Sequence, residues 1–253
     1  MFKRAVVRVP GRTMVNGLTQ AALGRPDYNL ALEQHDKYVQ ALIKCGLDVT
    51  ILQADEGYPD STFIEDTALL TKECAVITNP GADSRKGEIA AVKEAVSKFY
   101  SKIETIKNPG TLDAGDIMMA GSHFYIGLSK RTNLHGAEQM ISILEKYSFT
   151  ASTVTLKDVL HLKSGVSYLE NSNLIAAGEF VSKPEFKRYN ILKVKDSESY
   201  AANCVWVNGS VLMAAGYPAA KRQVENAGYP VIELDMSEFR KLDGGLSCLS
   251  LRF

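Results

Sequence analysis

The chain is poor in the residues that mark metal sites and disulfide frameworks. Its four cysteines, Cys45, Cys74, Cys204 and Cys248, lie far apart without a CxxC pair, and its four histidines, His35, His123, His135 and His161, form no HExxH. Zinc-finger and zinc-protease spacing is therefore excluded, although a lone zinc ion could still settle on a thiolate beside a histidine. An excess of charge of either sign is missing too. Twenty-nine basic residues balance twenty-nine acidic ones, which argues against a broad nucleic-acid or anionic-membrane surface. No window approaches a membrane span. The N-terminus runs from Met1, Phe2, Lys3, Arg4 directly into the strand-like Ala5 to Val9, without the long apolar core of a signal peptide. The expectation is a cytoplasmic protein with reduced thiols and no nucleic-acid or membrane partner.

What is present is an alternation of helical and extended patterns. Apolar positions at Tyr38, Val39, Leu42 and Ile43 predict a helix over Leu30 to Lys44, stopped at Gly46. Ser84 to Tyr100 and Asn133 to Tyr147 read the same way, and weaker helical stretches fall at Pro184 to Leu192 and Pro218 to Ala227. Short strands are expected at Phe63 to Leu70, Ala75 to Thr78, Phe124 to Gly127, Asn173 to Ala177 and Val205 to Met213. At 253 residues the chain can bury a full core, and the expectation is an α/β protein with a single domain over 1–253.

Unusual polar residues recur along these strands at a nearly fixed interval. Glu65, Asp113, His161, Cys204 and Cys248 are separated by 48, 48, 43 and 44 positions, which suggests five similar units. Units of this size cannot bury their own faces and must stack, most economically as a ring whose inner strands converge at the centre. An ordinary open α/β sheet is the competing architecture.

The residues that would meet at such a centre form a chemical set. Cys248 follows the glycine turn Leu242, Asp243, Gly244, Gly245 and enters the last apolar strand, where a rigidly held thiol can serve as a nucleophile or simply pack. His161, in Leu160 to Ser164, can exchange protons near neutral pH if a nucleophile is close. Asp113 can orient that histidine, whereas Asp116 reads better as an Asx-turn cap. Glu65 and Asp66 are adjacent acids inside an apolar run, with side chains expected on opposite faces of a strand. Burying both without a cation would cost several kcal/mol each, so a protein cation or a guanidinium substrate is implied.

These segments together resemble the dimethylarginine dimethylaminohydrolases (dimethylargininases) of the guanidine-modifying superfamily. The resemblance runs almost end to end, through Phe63 to Asp66, Pro80 to Arg85, Leu112 to Asp116, Gly127 to Asn133, Leu160 to Ser164, Ala201 to Cys204 and Leu242 to Cys248. GLSKRTN at 127 to 133 and LHLKS at 160 to 164 are its most specific parts. It implies a five-bladed α/β propeller, the pentein fold, built from ββαβ repeats around a central active site. By position it implies Cys248 as nucleophile, His161 as general acid/base and Asp113 as the carboxylate supporting it. It further implies Glu65 and Asp66 as guanidinium-facing acids, Arg85 and Arg131 on the substrate's α-carboxylate, Asp60 and Ser164 in the pocket, and Leu18 in a loop that closes it.

The implied reaction is hydrolysis of a methylated arginine to citrulline and a methylamine through a covalent Cys248 thiouronium, without metal or cofactor. The partner is then a small guanidino amino acid, and the resemblance admits a homodimer. A cationic substrate beside the thiol would favour its ionisation. Arginine deiminases and amidinotransferases share the same residue set, and a non-catalytic ribosome anti-association factor shares the architecture. Cys45, Cys74 and Cys204 read as structural thiols, His35, His123 and His135 as surface or packing groups, and Asn208-Gly209-Ser210 as a hairpin turn rather than a glycosylation site.

Overall fold

The computed structural model describes every residue of the chain except Asp158. The strands are β1 Arg4–Arg8, β2 Asp48–Leu52, β3 Ala68–Leu70, β4 Ala75–Ile77, β5 Ile103–Thr105, β6 Ile117–Ala120, β7 His123–Leu128 and β8 Thr150–Thr155. There follow β9 Val166–Tyr168, β10 Asn173–Ala176, β11 Asn190–Lys193, β12 Val205–Val207, β13 Ser210–Ala214, β14 Val231–Leu234 and β15 Leu251–Arg252. The longer helices are α1 Tyr28–Lys44, α2 Ile89–Ser97, α3 Leu134–Lys146 and α4 Pro218–Asn226.

Local chemistry fixes these elements. The Asp27 carboxylate caps α1 by accepting from the N–H groups of Asn29 and Leu30, and Asn133 caps α3 by accepting from Gly136. Helix α1 buries Ala31, Gln34, His35, Tyr38, Val39, Ala41 and Leu42 on one face, and the chain leaves it through Gly46 at φ 87°. Strands β12 and β13 are joined by Asn208 and Gly209, with φ of 49° and 99°, the two-residue turn that matches strand twist. The Asn208 amide donates to the carbonyls of Phe2 and Cys45 and so serves as a structural tie.

The described residues form five three-stranded sheets, β3-β4-β5, β6-β7-β8, β9-β10-β11, β12-β13-β14 and β15-β1-β2. In each, the first strand runs antiparallel to the second and the second parallel to the third. The fold is the five-unit ββαβ ring. Its last unit joins the two ends of the chain, with Ala5 opposite Arg252 and Val6 opposite Leu251.

The apolar core is correspondingly divided into clusters that bridge neighbouring units. Val76 of β4 packs with Ile117 and Phe124 of the next unit, and Tyr125 with Val166 and Leu174 of the one after. Val6 and Leu251 pack against Ile64 and Ala68, closing the circle. A fully buried Leu, Ile or Phe stabilises by roughly 1.5–3 kcal/mol, so these shared clusters tie each blade's stability to its neighbours.

Four expectations need correction. Phe63 to Leu70 is half strand, because Ile64–Thr67 winds as a 3-10 turn, with the Thr67 hydroxyl bonded back to the Ile64 carbonyl. Helix α2 begins later than the pattern suggests, after a 3-10 stretch at Asp83–Glu88. Pro184 to Leu192 is not helical. Pro184 can open a turn but offers no N–H to a helix running through it, and the segment forms a 3-10 turn at Pro184–Phe186 before β11. Cys248 lies in the 3-10 turn Ser247–Leu249 just before β15, not in the strand.

Candidate active site

Each blade's inner strand is preceded by a 3-10 turn, and these turns carry the polar residues. Ile64–Thr67 holds Glu65 and Asp66, Asp113 is the N-cap of Ala114–Asp116, His161 is the N-cap of Leu162–Ser164, and Cys248 lies within Ser247–Leu249. In the fourth blade the turn Asp196–Ala202 is followed by Asn203, and it is this residue rather than Cys204 that reaches the other turns. Cys204 is buried in an apolar cluster with its thiol pushed up to about 12 by burial.

His161 is held from two sides. Its Nε2 lies 3.0 Å from Asp113 Oδ2, while Asp113 Oδ1 accepts from the Gly81 N–H at 2.8 Å. The Ser164 hydroxyl accepts from the His161 N–H at 3.4 Å, so Ser164 fastens the turn that carries His161. Burial works against the imidazolium, but the charges of Asp66, Asp113 and Asp116 and the Asp113 hydrogen bond outweigh it and raise His161 to about 9. The ring therefore carries its second proton at neutral pH. Because the folded chain holds that proton more tightly than a free histidine at 6.5, this stabilisation is complete below that pH and is lost as pH rises through about 9.

Asp116 is a fastener and not a local Asx cap. Its Oδ2 accepts from the hydroxyls of Ser129 and Thr132 at 2.6 and 2.7 Å, and its Oδ1 from the Leu162 N–H at 2.9 Å. It thus ties the third blade's turn, and His161 with it, to the second blade.

One cleft gathers Leu18, Asp60, Asp66, Arg85, Arg131, His161 and Cys248, with a volume of about 350 Å³ including its open mouth. The Leu18 N–H donates to Asp60 at 2.9 Å, and Gln20 N–H to Asp243 at 2.6 Å, which lays the loop against the cleft. Burial pushes the Asp60 carboxyl up. Arg85 is buried and donates to Asp66, to both Glu88 oxygens and to the carbonyls of Phe63 and Asp60. Its bonds go mostly to the protein, so it acts first as a strut for Asp66. Arg131 differs: its Nη1 is buried without a hydrogen-bond partner, 3.7 Å from Asp113. Of the two arginines, Arg131 keeps a donor for an anion.

Asp66 has its own set of donors. Burial alone would raise its carboxyl, but His161, Arg85 and the Gly115 N–H hold it below the ordinary range. Asp66, Asp113 and His161 offer donor atoms within 4.8 Å of one another, yet Asp113 and His161 are bonded to each other and Asp66 to Arg85 and the Gly115 N–H, so the trio is a poor cradle for a metal.

Glu65 departs from the expectation of two acids facing one substrate. It looks away from the cleft, onto Lys163 at 2.6 Å, Ser247 Oγ at 2.8 Å and Arg252 at 3.3 Å. Ser247 is fixed in turn by Asn203, whose Oδ1 accepts from the Ser247 N–H at 3.0 Å. Glu65 still reaches the nucleophile by its charge. Burial first, then Glu65 and Asp66, push the Cys248 thiol up to about 12, against the opposing Gly245 N–H, 3.4 Å from Sγ, and the Lys163 charge.

Gly115 is required where Asp66 meets the histidine. A Cβ there would lie 2.6 Å from Asp66 Oδ1 and 3.1 Å from the imidazole ring. Gly115→Ala should leave a folded protein with turnover reduced by about 100-fold, the usual penalty for ångström-scale misplacement of a reacting group. A steady-state assay alongside a thermal melt checks it, and near-native turnover would refute the close-packing argument.

The arrangement is therefore a thiol, an imidazolium with its supporting carboxylate, an acid for a cation and a guanidinium with an unbonded donor, all around one cleft. A sequence profile described as N,N dimethylarginine dimethylhydrolase, eukaryotic, matches residues 18–198. An N(G),N(G)-dimethylarginine dimethylaminohydrolase of Pseudomonas aeruginosa is 57% identical over 254 residues, covering 100% of both chains. The chain belongs to the dimethylarginine dimethylaminohydrolase family. A second relative, from Streptomyces coelicolor and of the same description, is 36% identical over 99% of this chain and 96% of its own. Among solved structures, a cysteine-to-serine variant of the Pseudomonas aeruginosa enzyme complexed with citrulline superimposes with a TM-score of 0.99 at 57% identity, covering 100% of each chain.

Within this family member, sequence reasoning overlooked Lys163, Asn203, Ser247 and Arg252 around Glu65, and Glu88 behind Arg85. Lys163 and Ser247 were visible as polar residues next to His161 and Cys248 in otherwise apolar segments. Arg252 had no such signal, since a cation at the penultimate position reads as solvated surface. Among the described residues, no helix is long and apolar enough to cross a membrane.

Proposed function

We propose that this chain hydrolyses Nω-methylated L-arginines, asymmetric dimethylarginine and monomethylarginine, to L-citrulline and dimethylamine or methylamine. What carries the reading is the full-length 57% identity to a dimethylarginine dimethylaminohydrolase together with the convergence of Cys248, His161 and Asp66 on one cleft. The guanidinium lies against Asp66. Arg131 takes the substrate α-carboxylate, Asp60 faces its α-ammonium, and Leu18 covers it.

The protonation states set the order of events. Cys248 enters as a thiol and His161 as an imidazolium. The substrate cation draws the thiol proton off to solvent, and the thiolate attacks the guanidinium carbon. His161, already protonated, then delivers its proton to the departing amine, leaving a thiouronium on Cys248. The neutral imidazole next removes a proton from water, which attacks the thiouronium, and collapse expels the thiolate and frees citrulline. Asp113 keeps the ring oriented through both transfers.

Incubation with arginine, monomethylarginine and asymmetric dimethylarginine, with citrulline and amine measured separately, tests the proposal. The expected products are citrulline and methylated amine in equal amounts from the methylated substrates. Citrulline from unmethylated arginine alone would make the chain a deiminase, and no citrulline from any of the three would overturn the reading.

A further inference from the structure

The inner strands β3, β6, β9, β12 and β15 enclose a second space on the ring axis, of about 870 Å³ including its mouth. It shares no lining residue with the cleft. At its polar end lie Lys163 and Arg252, both paired to Glu65, so two cations face one carboxylate. Both cations are largely buried, with side chains 15% and 13% exposed. Lys163 carries three N–H donors, and among the described residues it donates only to Glu65. Arg252 gives Nη1 to Ser250 and to the Ser247 carbonyl and reaches Glu65 through Nη2 at 3.3 Å, a long bond for a charged pair.

The remaining walls are mainly apolar, with Leu69, Met118, Met119, Val205 and Trp206, and carry the hydroxyls of Ser167, Tyr168, Ser247 and Ser250. One other acid lines the space. Burial pushes the Glu170 carboxyl up, and the charge of the N-terminal ammonium acts against it. A surplus of buried positive charge at one end and aliphatic and aromatic walls along the rest describe a receptor for one kind of molecule.

We propose that this axial space is a second ligand site, for a small carboxylate with an apolar body, bound with its carboxylate on Lys163 and Arg252 and its body along Met118, Met119 and Trp206. The site communicates with the cleft through Glu65. An anion that takes Lys163 and Arg252 leaves the Glu65 charge less compensated beside Cys248, which disfavours the thiolate and slows turnover without displacing substrate. The binding itself does not depend on what the cleft hydrolyses.

Trp206 is the chain's single tryptophan, so its fluorescence reports this space independently of activity. Titration with benzoate should give a saturable change in Trp206 emission that persists when the cleft is filled with citrulline. Met119→Glu, which sets a negative charge on the wall, and Arg252→Gln, which removes a cation from the polar end, should each weaken benzoate by about tenfold. In the native protein benzoate should lower kcat with KM nearly unchanged. Absence of a saturable emission change overturns the proposal, as does competition by citrulline or an affinity unaltered in both variants. If emission responds while turnover does not, the site stands and its coupling through Glu65 is refuted.

Discussion

Cys248→Ser should bind a methylarginine normally and fail to hydrolyse it, with citrulline formation reduced by at least about 10⁴-fold. The guanidinium carbon is a weak electrophile because its charge is delocalised, and a serine hydroxyl is both less acidic and less polarisable than the thiol it replaces. Nothing else in the cleft should change. The Gly245 N–H that faces Sγ at 3.4 Å still finds an oxygen to donate to, and Asp66, Asp60 and Arg131 keep their places on other turns and loops. Binding measured by calorimetry should stay within about threefold of native, since the reacting atom contributes little to ground-state affinity. A Cys248→Ser protein with native turnover would exclude the covalent route, and one that binds no substrate would place Cys248 in ground-state binding.

How far the sequence leads toward this site differs from residue to residue. The intervals of 48, 48, 43 and 44 positions are legible because every blade repeats the same element order, and a ring needs that regularity to close its interblade clusters. The fourth position is off by one. Cys204 catches the eye, but Asn203 makes the bonds, because the end of the preceding 3-10 turn aims the earlier residue at Ser247 and the later one into the core. The turns themselves are hidden for a related reason. Apolar runs such as Phe63 to Leu70 satisfy a strand pattern while their i to i+3 bonds wind them once before the strand begins.

Long-range partners are the other blind spot. Asp116 looks like a local cap, yet its acceptor bonds reach Ser129, Thr132 and Leu162. Glu65 looks like half of a substrate clamp, yet it meets Lys163 from 98 positions away and Arg252 from 187. A requirement for buried countercharge is readable from the Glu65-Asp66 pair. Which cation answers which acid is decided by the convergence of the blades, and the answer divides the two acids between the cleft and the axial space.

Filling the cleft with a non-reacting guanidino amino acid should lower the pH at which Cys248 ionises by about three units. In the empty site the thiol is pushed up to about 12, so forming thiolate at pH 7 costs roughly 7 kcal/mol at 1.36 kcal/mol per pH unit. A guanidinium about 4 Å from Sγ returns about 4 kcal/mol at an effective dielectric of about 20. It also engages Asp66, one of the two carboxylates that oppose the thiolate. The substrate's own charge thereby becomes the largest single factor in activating its nucleophile. Thiolate ultraviolet absorbance, taken as the difference between native protein and Cys248→Ser so that the tyrosines cancel, reads the ionisation directly. Without ligand the difference signal should be absent through neutral pH and rise only in strong alkali; with saturating ligand it should rise near pH 9. An unchanged titration would mean that the thiolate is made by a group within the protein, and His161 would then have to be reconsidered as its base in the first step. An isosteric uncharged urea analogue supplies the control, since it fills the cleft without the cation and should leave the titration where the empty site has it.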